Sequence, residues 1–374
     1  MRIALDARKL KKTDSGIGGY TLNLARALLE EDKDLELLLV CNTAREQGRV
    51  KAERIHEVVF PFQPNSLLTQ FALGRFLRSH SFDVFHSPFD ITPRGLGRPL
   101  VVTIHDLNWI VNPAYNSNNP IVRLFGGAKY RFTLTSAMNE ASRIMAVSQA
   151  TRRAIIEYSP WHEDKIRVAY NGIDRSRIHP IDRDAAYGAI AHIVPPGTPF
   201  ILTVGQGTPY KNHLNAVRGF LEAFQGRPEF RMVLVRRCLG GDSALRALLG
   251  SSQARAQVIT LPYVSPEVLN ALYNAARVVL HPSYYEGFGL PLLEAMSAGT
   301  PVVTSDVSSM PEVVGTAALL VNPASPGAIA KALVSLDTNE DLREKLIAEG
   351  RKRVDQFTWR DCARTTLAAY REIV

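Results

Sequence analysis

The stretch HPSYYEGFGLPLLEAMSAGTPVV, residues 281–303, decides the fold of this chain. It follows the apolar run VVL at 278–280, which predicts a short buried strand that ends at His281. The next residues form a loop with two glycines, and Pro291 is placed to begin a helix. The closing PVV predicts another buried strand. The order strand, loop, helix and strand is typical of an open parallel α/β sheet.

The same alternation continues on both sides of this stretch. In the first half it predicts helices at 20–29, 66–78, 122–138 and 149–158, between strands at RIALD (2–6), LELLLV (35–40), DVFHS (83–87), PLVVTIHD (99–106) and RIMAVS (143–148). In the second half it predicts helices between strands at PFILTVG (199–205), FRMVLV (230–235), QVITLP (257–262), RVVLHPS (277–283) and TPVVTS (300–305). We therefore predict an α/β protein of two doubly wound, Rossmann-like domains.

Residues 171–199, between the two series, are rich in turn formers and charged residues. Four residues near the end of this segment continue neither a helix nor a central strand: Pro195, Pro196, Gly197 and Pro199. We place the linker in this segment and predict domains at 1–180 and 181–356. Residues 357–374 predict one amphipathic helix, a candidate to cross back to the first domain, whose shared face holds Trp359, Cys362, Leu367 and Tyr370.

Length and composition exclude several classes of protein. At 374 residues the chain is too long for one ordinary core, and 46% hydrophobic with 21% charged residues is a globular composition. No stretch reaches the roughly 20 apolar residues of a membrane span. The start MRIALDARKL becomes charged at once and is unlike a secretory signal. We therefore expect a cytoplasmic protein.

Charge and cysteine content limit the kinds of binding partner and metal site that are expected. The net charge of +8 favours polyanions in general, but without a recognition helix or a long basic run we expect no nucleic-acid partner. Cys41, Cys238 and Cys362 are few and widely spaced, which predicts reduced thiols rather than disulfides or a zinc site. We expect neither a metal nor a cofactor, and the sequence does not predict the oligomeric state.

The loop within 281–303 carries the residues from which chemistry can be inferred. Two glycines before a helix N-terminus expose backbone N–H groups with partial positive charge, which suits a diphosphate. Glu286 and Glu294 would be poorly placed beside that anion unless they accept hydrogen bonds from sugar hydroxyls. The alternative is that Glu294 lies on an exposed helix face while Gly287 and Gly289 only shape a turn.

At this stretch the sequence resembles the large family of retaining glycosyltransferases of GT-B fold, of the family-4 or group 1 type, which includes bacterial mannosyltransferases of lipopolysaccharide and exopolysaccharide assembly. The E-seven-E pattern is EGFGLPLLE at 286–294. The likeness covers nearly the whole chain, through SPFD (87–90), VVTIHDL (101–107), AVSQATRRAI (146–155), YNGID (170–174), VGQGTPYKN (204–212), LPYVSPEVLNALY (261–273) and FTW (357–359). It implies a donor sugar nucleotide in an interdomain cleft, with 1–180 on the acceptor side and 181–356 binding the sugar nucleotide.

The resemblance implies roles for residues of the second domain. Glu294 would accept hydrogen bonds from the donor ribose, and Glu286 would lie near the transferred sugar. Lys211 would neutralise the diphosphate, where charge builds as the leaving group departs, unless it is a solvated lysine at a helix start. The predicted catalytic residues are His105, Lys211 and Glu286. The loop residues predicted to contact sugar hydroxyls and phosphate through backbone N–H groups are Gly287, Phe288, Gly289 and Leu290.

The resemblance also implies roles for residues further away in the sequence. Gly18 and Gly19, in SGIGG, would line the cleft near the donor phosphate and the acceptor, or would only tighten a turn. His105, at the end of the strand VVTI, would point toward hydroxyls of the donor sugar. Tyr263 and Val264 would meet the nucleobase through backbone atoms, with core packing as the alternative.

Two short segments of the sequence depart from the family pattern. Many relatives carry an arginine five residues before the diphosphate lysine, or immediately before it, where this chain has Gln206 and Tyr210. Neither side chain supplies a second fixed positive charge. Gln206 is nevertheless one of the predicted donor-binding residues. Arg236 and Arg237 follow a strand where relatives more often carry Val-Gly. One of them is predicted to replace the missing arginine, with surface charge as the alternative.

The resemblance predicts a metal-independent, retaining transfer of a hexose. GDP-mannose is the first donor and UDP- or dTDP-sugars are the alternatives; the acceptor is expected to be a saccharide or lipid-linked saccharide in cell-surface polysaccharide assembly. The segment SLLTQFALGRFLRSH (66–80) has the pattern of a basic amphipathic helix, for which packing on its own sheet is the first expectation and contact with the inner face of an anionic membrane is the alternative.

Three competing classes were weighed against this prediction. A non-catalytic sugar-nucleotide-binding protein stays open because of Gln206 and Tyr210. A GT-B epimerase would lack the E-seven-E block, and a nicotinamide-dependent dehydrogenase would need GxGxxG, which SGIGG is not.

Overall fold

The chain folds into two compact units, each built on its own sheet. The computed structural model describes residues 1–10, 16–44, 47–50, 52–116, 119–237 and 242–374, and the side chains of Leu67 and Arg237 lie outside that description. The amino-terminal unit comprises Met1–Val111, Phe125–Gly172 and Thr358–Val374. The carboxy-terminal unit comprises Asn112–Leu124 and Ile173–Phe357.

The amino-terminal unit has a seven-stranded parallel sheet in the order β3-β2-β1-β4-β5-β6-β7. Its strands are β1 (Arg2–Asp6), β2 (Glu36–Cys41), β3 (Ile55–Val59), β4 (Val84–Ser87), β5 (Leu100–Ile104), β6 (Arg143–Ala146) and β7 (Ile166–Val168). Its helices are α1 (Ile17–Glu31), α2 (Leu67–Leu77), α3 (Asn108–Val111), α4 (Pro120–Glu140), α5 (Gln149–Tyr158) and the last helix of the chain, α15 (Trp359–Arg371). Residues 120–124, at the start of α4, are grouped with the carboxy-terminal unit.

The carboxy-terminal unit has a six-stranded parallel sheet in the order β10-β9-β8-β11-β12-β13. Its strands are β8 (Phe200–Gln206), β9 (Arg231–Arg237), β10 (Val258–Leu261), β11 (Val278–His281), β12 (Val302–Ser305) and β13 (Leu319–Val321). Its helices are α6 (Arg183–Ile190), α7 (His213–Ala223), α8 (Ser243–Leu249), α9 (Ser252–Gln257), α10 (Pro266–Ala275), α11 (Leu290–Ala298), α12 (Met310–Val314), α13 (Pro326–Thr338) and α14 (Glu340–Val354).

The central strands are apolar along their length because helices cover both faces of each sheet. In the amino-terminal unit, Leu5 and Leu39 belong to an apolar cluster with residues of α1 and α15. On the other face, Ala4 and Leu38 belong to a cluster with residues of α2 and α4. Each fully buried leucine stabilises the fold by about 1.5–3 kcal/mol, so these apolar layers hold the sheet between its helices.

The strand order reverses once in each sheet, between β1 and β4 and between β8 and β11. At such a point the crossovers leave in opposite directions, and the carboxyl ends of the two strands border a crevice where open α/β sheets bind ligands. The loops after β8 and β11 therefore mark the first place to search for a site in the carboxy-terminal unit.

Three strands were missed by the sequence prediction, and all three lie at sheet edges: β3, β7 and β13. An edge strand has one neighbour and more contact with solvent, so it needs no continuous apolar run. β3 reads IHEVV with no fully buried residue, and β7 and β13 are three residues each. Their sequences therefore lack the signal that marked the central strands.

The structure divides the units at Gly172/Ile173 rather than at residue 180. Residues 173–180 belong to the carboxy-terminal unit because their backbone bonds to it. The backbone N–H of His179 donates to Asn270 Oδ1 at 3.0 Å, and Ser297 Oγ donates to the carbonyl of Ile178 at 3.0 Å.

The last helix, α15, packs in the amino-terminal unit. Cys362, Leu367 and Tyr370 are buried on one face of it, and Trp359 is partly buried against the same apolar cluster. Glu31, at the end of α1, accepts hydrogen bonds from Arg360 and Arg364 on the exposed side of α15. Across the described ranges, none of the helices combines the length and apolar character that a membrane span requires.

Candidate functional site

A lysine and a glutamate meet where β8 and β11 end side by side. β8 leads through a 3-10 helix, Pro209–Lys211, into α7, and β11 leads through a loop to Glu286 and α11. Lys211 Nζ lies 2.6 Å from Oε1 of Glu286. The fold thus brings together two residues that the sequence prediction assigned to one donor site.

Glu286 is the centre of a buried hydrogen-bond cluster. Its Oε1 accepts from Lys211 Nζ at 2.6 Å, Ser283 Oγ at 2.7 Å and His281 Nε2 at 2.8 Å. The side chains of Lys211 and Glu286 are only 12% and 10% exposed. Three donors on one oxygen hold the carboxylate in a fixed orientation beside the ammonium group.

The charges in this cluster stabilise one another. Burial by itself raises the pKa of Glu286, but the Lys211 charge and the His281 hydrogen bond outweigh it and hold that pKa well below its usual range. Next to them, burial and then the charge of Arg236 lower the pKa of His213 to about 3. At neutral pH the site therefore holds an ammonium, a carboxylate and a neutral imidazole.

Two serines from the segment after β12 hold the loop that carries Glu286. Ser308 Oγ donates to the carbonyl oxygen of Glu286 at 2.6 Å, and Ser309 Oγ lies 2.9 Å from the same oxygen and 2.8 Å from that of Phe288. The Phe288 ring packs edge-on against Phe357, with ring centres 5.6 Å apart. The loop is thus positioned by side chains from elsewhere in the unit.

The loop ends at the N-terminus of α11, where no side chain caps the helix. Gly289 is the N-cap residue at φ +105°, a conformation that glycine adopts without strain. A Cβ at Gly289 would also lie 3.0 Å from Leu292 Cδ1. In the first turn Pro291 has no N–H, and the N–H of Leu292 donates to the Gly289 carbonyl at 3.0 Å. The N–H groups at a helix N-terminus carry partial positive charge, so this terminus can bind a phosphate group.

Asn212 fixes Lys211 relative to Glu286. It adopts the left-handed conformation, with φ +55° and ψ +37°, which asparagine tolerates better than most residues. Its Nδ2 donates to the carbonyls of Pro282 and Pro323 at 2.9 and 2.7 Å. The first bond ties the turn after β8 to the loop after β11, and the second ties it to the segment after β13.

Glu294 lies on the same helix, α11, in half-buried polar surroundings rather than on an exposed face. Its Oε2 accepts a hydrogen bond from Tyr273 OH at 2.6 Å. Burial raises the pKa of Glu294, partly offset by the Tyr273 hydrogen bond and the charge of Arg177. Further hydrogen-bond donors to the Glu294 carboxylate would therefore stabilise its ionised form.

Arg236, one of the two candidate substitute cations, lies beside this cluster. Its side chain is 7% exposed, and Nη2 lies 3.5 Å from the Gly207 carbonyl and 3.8 Å from Asp242 Oδ2. Its Nε is buried, and within the described part of the chain it has no hydrogen-bond partner. The side chain of Arg237 lies outside the described residues, and Gln206 at the end of β8 is exposed.

Tyr263 and Val264, the predicted nucleobase contacts, follow β10 at the sheet edge. β9 separates β10 from β8, so these residues lie away from the Lys211–Glu286 pair. Tyr263 is exposed and Val264 is half-buried, so core packing does not describe Tyr263.

Gly18 and Gly19 lie in the first turn of α1 in the amino-terminal unit. A Cβ at Gly18 would lie 2.7 Å from the carbonyl oxygen of Lys9, whereas a Cβ at Gly19 would meet no atom within 4 Å. Close packing of the backbone therefore accounts for Gly18 but not for Gly19.

His105 follows β5 and is held as one tautomer. Its Nε2 lies 2.9 Å from the carbonyl oxygen of Pro88, and because a carbonyl only accepts, Nε2 carries the proton and Nδ1 is the acceptor atom of the ring. Burial lowers the pKa of His105 to about 4, so the ring is neutral at pH 7. The ring packs edge-on against Tyr20 with centres 4.8 Å apart.

The sequence prediction missed a buried polar network in the amino-terminal unit. Asp6 and Arg8 form an ion pair with both side chains fully buried, with Oδ2 and Nη2 2.5 Å apart. His86 contacts Tyr370 OH through Nδ1 at 2.5 Å and Thr103 Oγ1 through Nε2 at 2.8 Å. The signal for Asp6 was a charge at the end of an apolar strand. His86 and Tyr370 are 284 residues apart, so no local pattern links them.

Other missed residues lie at the Lys211–Glu286 pair itself: Asn212, His281, Ser283, Ser308 and Ser309. His281 and Ser283 lie at the carboxyl end of the predicted strand RVVLHPS, and that position was the available signal. The two later serines gave none, because they act through a loop 22 and 23 residues away.

Comparison with known proteins follows the same division of the chain. Residues 15–177 match the family model Glycosyltransferase Family 4, and residues 191–353 match the model Glycosyl transferases group 1. The chain is 29% identical to O-antigen chain mannosyltransferase B of Escherichia coli, across 99% of this chain and 100% of that protein. It is 30% identical to D-inositol 3-phosphate glycosyltransferase of Rhodococcus erythropolis, across 74% of this chain and 63% of that protein.

Solved structures share the fold. Sucrose-phosphate synthase of Thermosynechococcus elongatus matches with a TM-score of 0.74 at 20% identity, across 99% of this chain and 98% of that one. HepE of Anabaena, in complex with UDP and glucose, matches with a TM-score of 0.74 at 20% identity, across 98% and 99%. The predicted fold class is confirmed as two parallel-sheet α/β domains of GT-B type. With both family models and the fold in agreement, the chain belongs to the group 1 family of glycosyl transferases.

Proposed function

We propose that this glycosyltransferase moves a hexose from a sugar nucleotide, with GDP-mannose as the first donor, to a saccharide or lipid-linked saccharide in cell-surface polysaccharide assembly. The contact between Lys211 and Glu286 beside the uncapped N-terminus of α11 carries the proposal. It offers two sources of positive charge to a diphosphate and a carboxylate to sugar hydroxyls. Mannose is placed first because the relative matched over its full length is named a mannosyltransferase.

The diphosphate binds the N–H groups of residues 287–290 and the Lys211 ammonium. As the bond between the anomeric carbon and the phosphate oxygen breaks, negative charge grows on the departing phosphate. A preorganised ammonium and a helix N-terminus stabilise that charge more in the transition state than in the ground state. Before the donor arrives, Glu286 accepts a hydrogen bond from one of the three N–H groups of the Lys211 ammonium. The diphosphate therefore competes with Glu286 for hydrogen bonds from Lys211.

The two glutamates take the hydroxyl groups of the donor. Glu286, an anion at neutral pH, accepts a hydrogen bond from the hexose, and Glu294 accepts from the ribose. In the amino-terminal unit, Nδ1 of His105 is the acceptor for a sugar hydroxyl. Arg236, whose buried Nε has no hydrogen-bond partner among the residues that the structure describes, supplies the second positive charge that Gln206 and Tyr210 cannot.

Transfer with retention and without a metal ion is part of the same proposal. The acceptor hydroxyl attacks from the face that the diphosphate leaves, the new C–O bond forms as the old one breaks, and the departing phosphate takes the hydroxyl proton. Here the enzyme supplies positioning and charge stabilisation, with no protein nucleophile.

Two other functions have support. UDP-glucose is a specific alternative donor, because a solved HepE structure with a TM-score of 0.75 contains it. A non-catalytic sugar-nucleotide-binding protein is favoured by the neutral Gln206 and Tyr210 at the positions where relatives carry arginine.

Release of nucleoside diphosphate from a panel of GDP-, UDP- and dTDP-sugars tests the proposal, with saccharide acceptors present and absent. We expect acceptor-dependent release of GDP from GDP-mannose, unchanged by a metal chelator, and a product with the anomeric configuration of the donor by NMR. Release from a UDP-sugar alone would replace the donor. Tight nucleotide binding without release from any donor would establish the binding protein instead.

A further inference from the structure

Helices α2 and α4 concentrate exposed apolar side chains. Leu68 and Phe71 on α2 are 55% and 64% exposed, and Phe125 and Phe132 on α4 are 70% and 48% exposed. The beginning of α4 adds three more exposed apolar side chains: Ile121, Val122 and Leu124. Single exposed apolar side chains are normal in monomers, but a concentration like this one marks an interaction surface.

The exposed face of α2 is separate from the face that packs on the sheet. Leu68, Phe71 and Arg75 follow one another at spacings of three and four residues and are all exposed, so they share one face. Leu73 and Leu77 lie on the other side and are fully buried. The helix therefore packs on its own sheet with one face and leaves another face in solvent.

On α4 the exposed apolar residues also form a stripe. Ile121, Phe125, Ala128 and Phe132 are exposed and follow one another at spacings of four, three and four residues. Buried residues on this helix appear only from Thr133 onward. The first three turns of α4 therefore place their apolar side chains in solvent.

Contacts through Asn65 and Arg94 link α2 to α4. Lys129 Nζ, on α4, donates to the carbonyl of Asn65 near the start of α2 at 2.9 Å. Arg94 links both helices: its backbone N–H donates to the carbonyl of Gln70 at 2.8 Å, and its guanidinium lies 5.0 Å from the centre of the Phe132 ring. We define the α2–α4 surface by Leu68, Phe71, Arg75, Phe125, Lys129 and Phe132.

The charges at this surface are basic. α2 and residues 120–139 of α4 contain no acidic residue, whereas they contain Arg75, Arg123, Lys129 and Arg131. Two copies of the chain that met through this surface about a two-fold axis would bring these like charges together. Anionic lipid headgroups complement them, and the aromatic side chains match the apolar zone beneath the headgroups.

We propose that the α2–α4 surface docks the chain on an anionic lipid bilayer. Phe71, Phe125 and Phe132 enter the headgroup region, and the basic side chains lie against lipid phosphates. The purpose of this docking, access to a lipid-linked acceptor, rests on the proposed function. Its test measures binding in the absence of donor and acceptor and is independent of transfer.

Sedimentation of the full chain with vesicles tests the proposal. We expect binding to phosphatidylcholine vesicles that contain phosphatidylglycerol, weakened by salt, and little binding to phosphatidylcholine alone. The double variant F71S/F125S should lose about tenfold or more of the vesicle affinity, because each lost aromatic removes several buried carbons. The double variant R75E/R131E should lose the preference for phosphatidylglycerol.

Two control variants keep the test specific. W161S removes a side chain that is 73% exposed outside both helices, and R26E reverses an exposed charge on α1, so both should bind vesicles as the unaltered chain does. Unchanged melting temperatures in all variants show that each chain is folded.

Absence of vesicle binding, or full binding by F71S/F125S, would overturn the proposal. A dimer in light scattering that F71S/F125S converts to a monomer, with no vesicle binding, would assign the surface to a second copy instead. Vesicle binding without transfer from any donor removes the proposed function and leaves this inference standing, and transfer without vesicle binding does the reverse.

Discussion

The residues around Lys211 fix the position of its side chain. Its ammonium group contacts Glu286, and Asn212 sets the turn that carries it. Gly205 leaves it room, since a Cβ there would lie 3.4 Å from Lys211 Cδ and 3.2 Å from His213 Nε2. A cation whose position is set before the substrate arrives needs no reorganisation during the reaction. The effects of single substitutions here should therefore appear mainly in turnover.

Replacing Lys211 with alanine should lower turnover by about 10²–10³-fold, the usual effect of removing one preorganised charge at a leaving group. The substitution removes the ammonium that stabilises the departing phosphate. Release of nucleoside diphosphate at saturating donor measures it. Lys331→Ala, which alters an exposed lysine on α13, is the matched control. Turnover of K211A equal to that of K331A would contradict the role.

Replacing Glu294 with alanine should weaken nucleotide binding by about tenfold or more, as expected for lost hydrogen bonds to a charged group. Because burial raises the pKa of Glu294, binding to the unaltered chain should also strengthen as pH rises and this group ionises. Calorimetric titration with GDP across a pH series measures both effects. E344A, on the exposed side of α14, should keep the original affinity and pH dependence.

Replacing Arg236 with glutamine should weaken donor binding by about tenfold, and R236K should recover part of the loss. R237Q is the matched comparison at the neighbouring position. The Michaelis constant for the donor and the melting temperature, measured together, separate a binding effect from a folding effect. Equal constants for R236Q, R237Q and the unaltered chain would remove the idea of a substitute cation.

At the scale of single elements, two helix N-termini are built from glycines for different reasons. At α11 the glycine is required by its conformation, since Gly289 has φ +105°. At α1, Gly18 is required by close packing, whereas the surroundings of Gly19 are open. Glycines that look alike in a sequence can therefore have different structural reasons: one a backbone conformation, another close packing, and a third neither of these.

The pair Gly18→Ala and Gly19→Ala tests that distinction. G18A should destabilise the amino-terminal unit by about 1–3 kcal/mol, because its Cβ would meet the Lys9 carbonyl. G19A should stabilise the helix by up to about 1 kcal/mol, since alanine favours helix over glycine. Urea unfolding measures both. A stabilised G19A with lower transfer would support the predicted role of Gly19 near the donor, and equal stabilities of the two variants would contradict the packing argument.

The whole molecule depends on contacts between the two ends of the chain. α15, from the last residues, completes the core around β1 and α1, and Tyr370 on it contacts His86 on β4. The amino-terminal unit is therefore not complete until residue 370 has been added. Buried histidines, His86 among them, make the free energy of unfolding depend on pH.

The free energy of unfolding should fall as pH drops from about 6.5 toward 4. Burial lowers the pKa of His86 to about 3 and of His105 to about 4, and burial together with the charge of Arg236 lowers that of His213 to about 3. In the unfolded chain these groups titrate near about 6.5, so in this window the unfolded state binds more protons than the folded state. Urea midpoints measured at a series of pH values show the slope. H86Q should reduce that slope, and H192Q, at an exposed site, should leave it unchanged.

The order of the central strands and helices is local information, because the periodicity that identifies a buried strand or an amphipathic helix lies within about ten residues of chain. For this reason the central strands of both units were predictable, while the edge strands β3, β7 and β13, which are partly exposed, were not. Glu286, Glu294 and Lys211 were also recognisable, since each lies within a motif next to a predicted strand or helix.

What only the tertiary structure decided are contacts between residues far apart in the chain. The sequence determined two α/β domains and the residues of the loop at 281–303; it did not show that Glu286 accepts from Lys211, that Asn212 bonds across to Pro323, that Arg236 is buried beside His213, or that α4 leaves Phe125 in solvent. The physical reason is that burial and hydrogen-bond partners depend on which surfaces the packed helices and strands bring together, and composition and periodicity do not encode that.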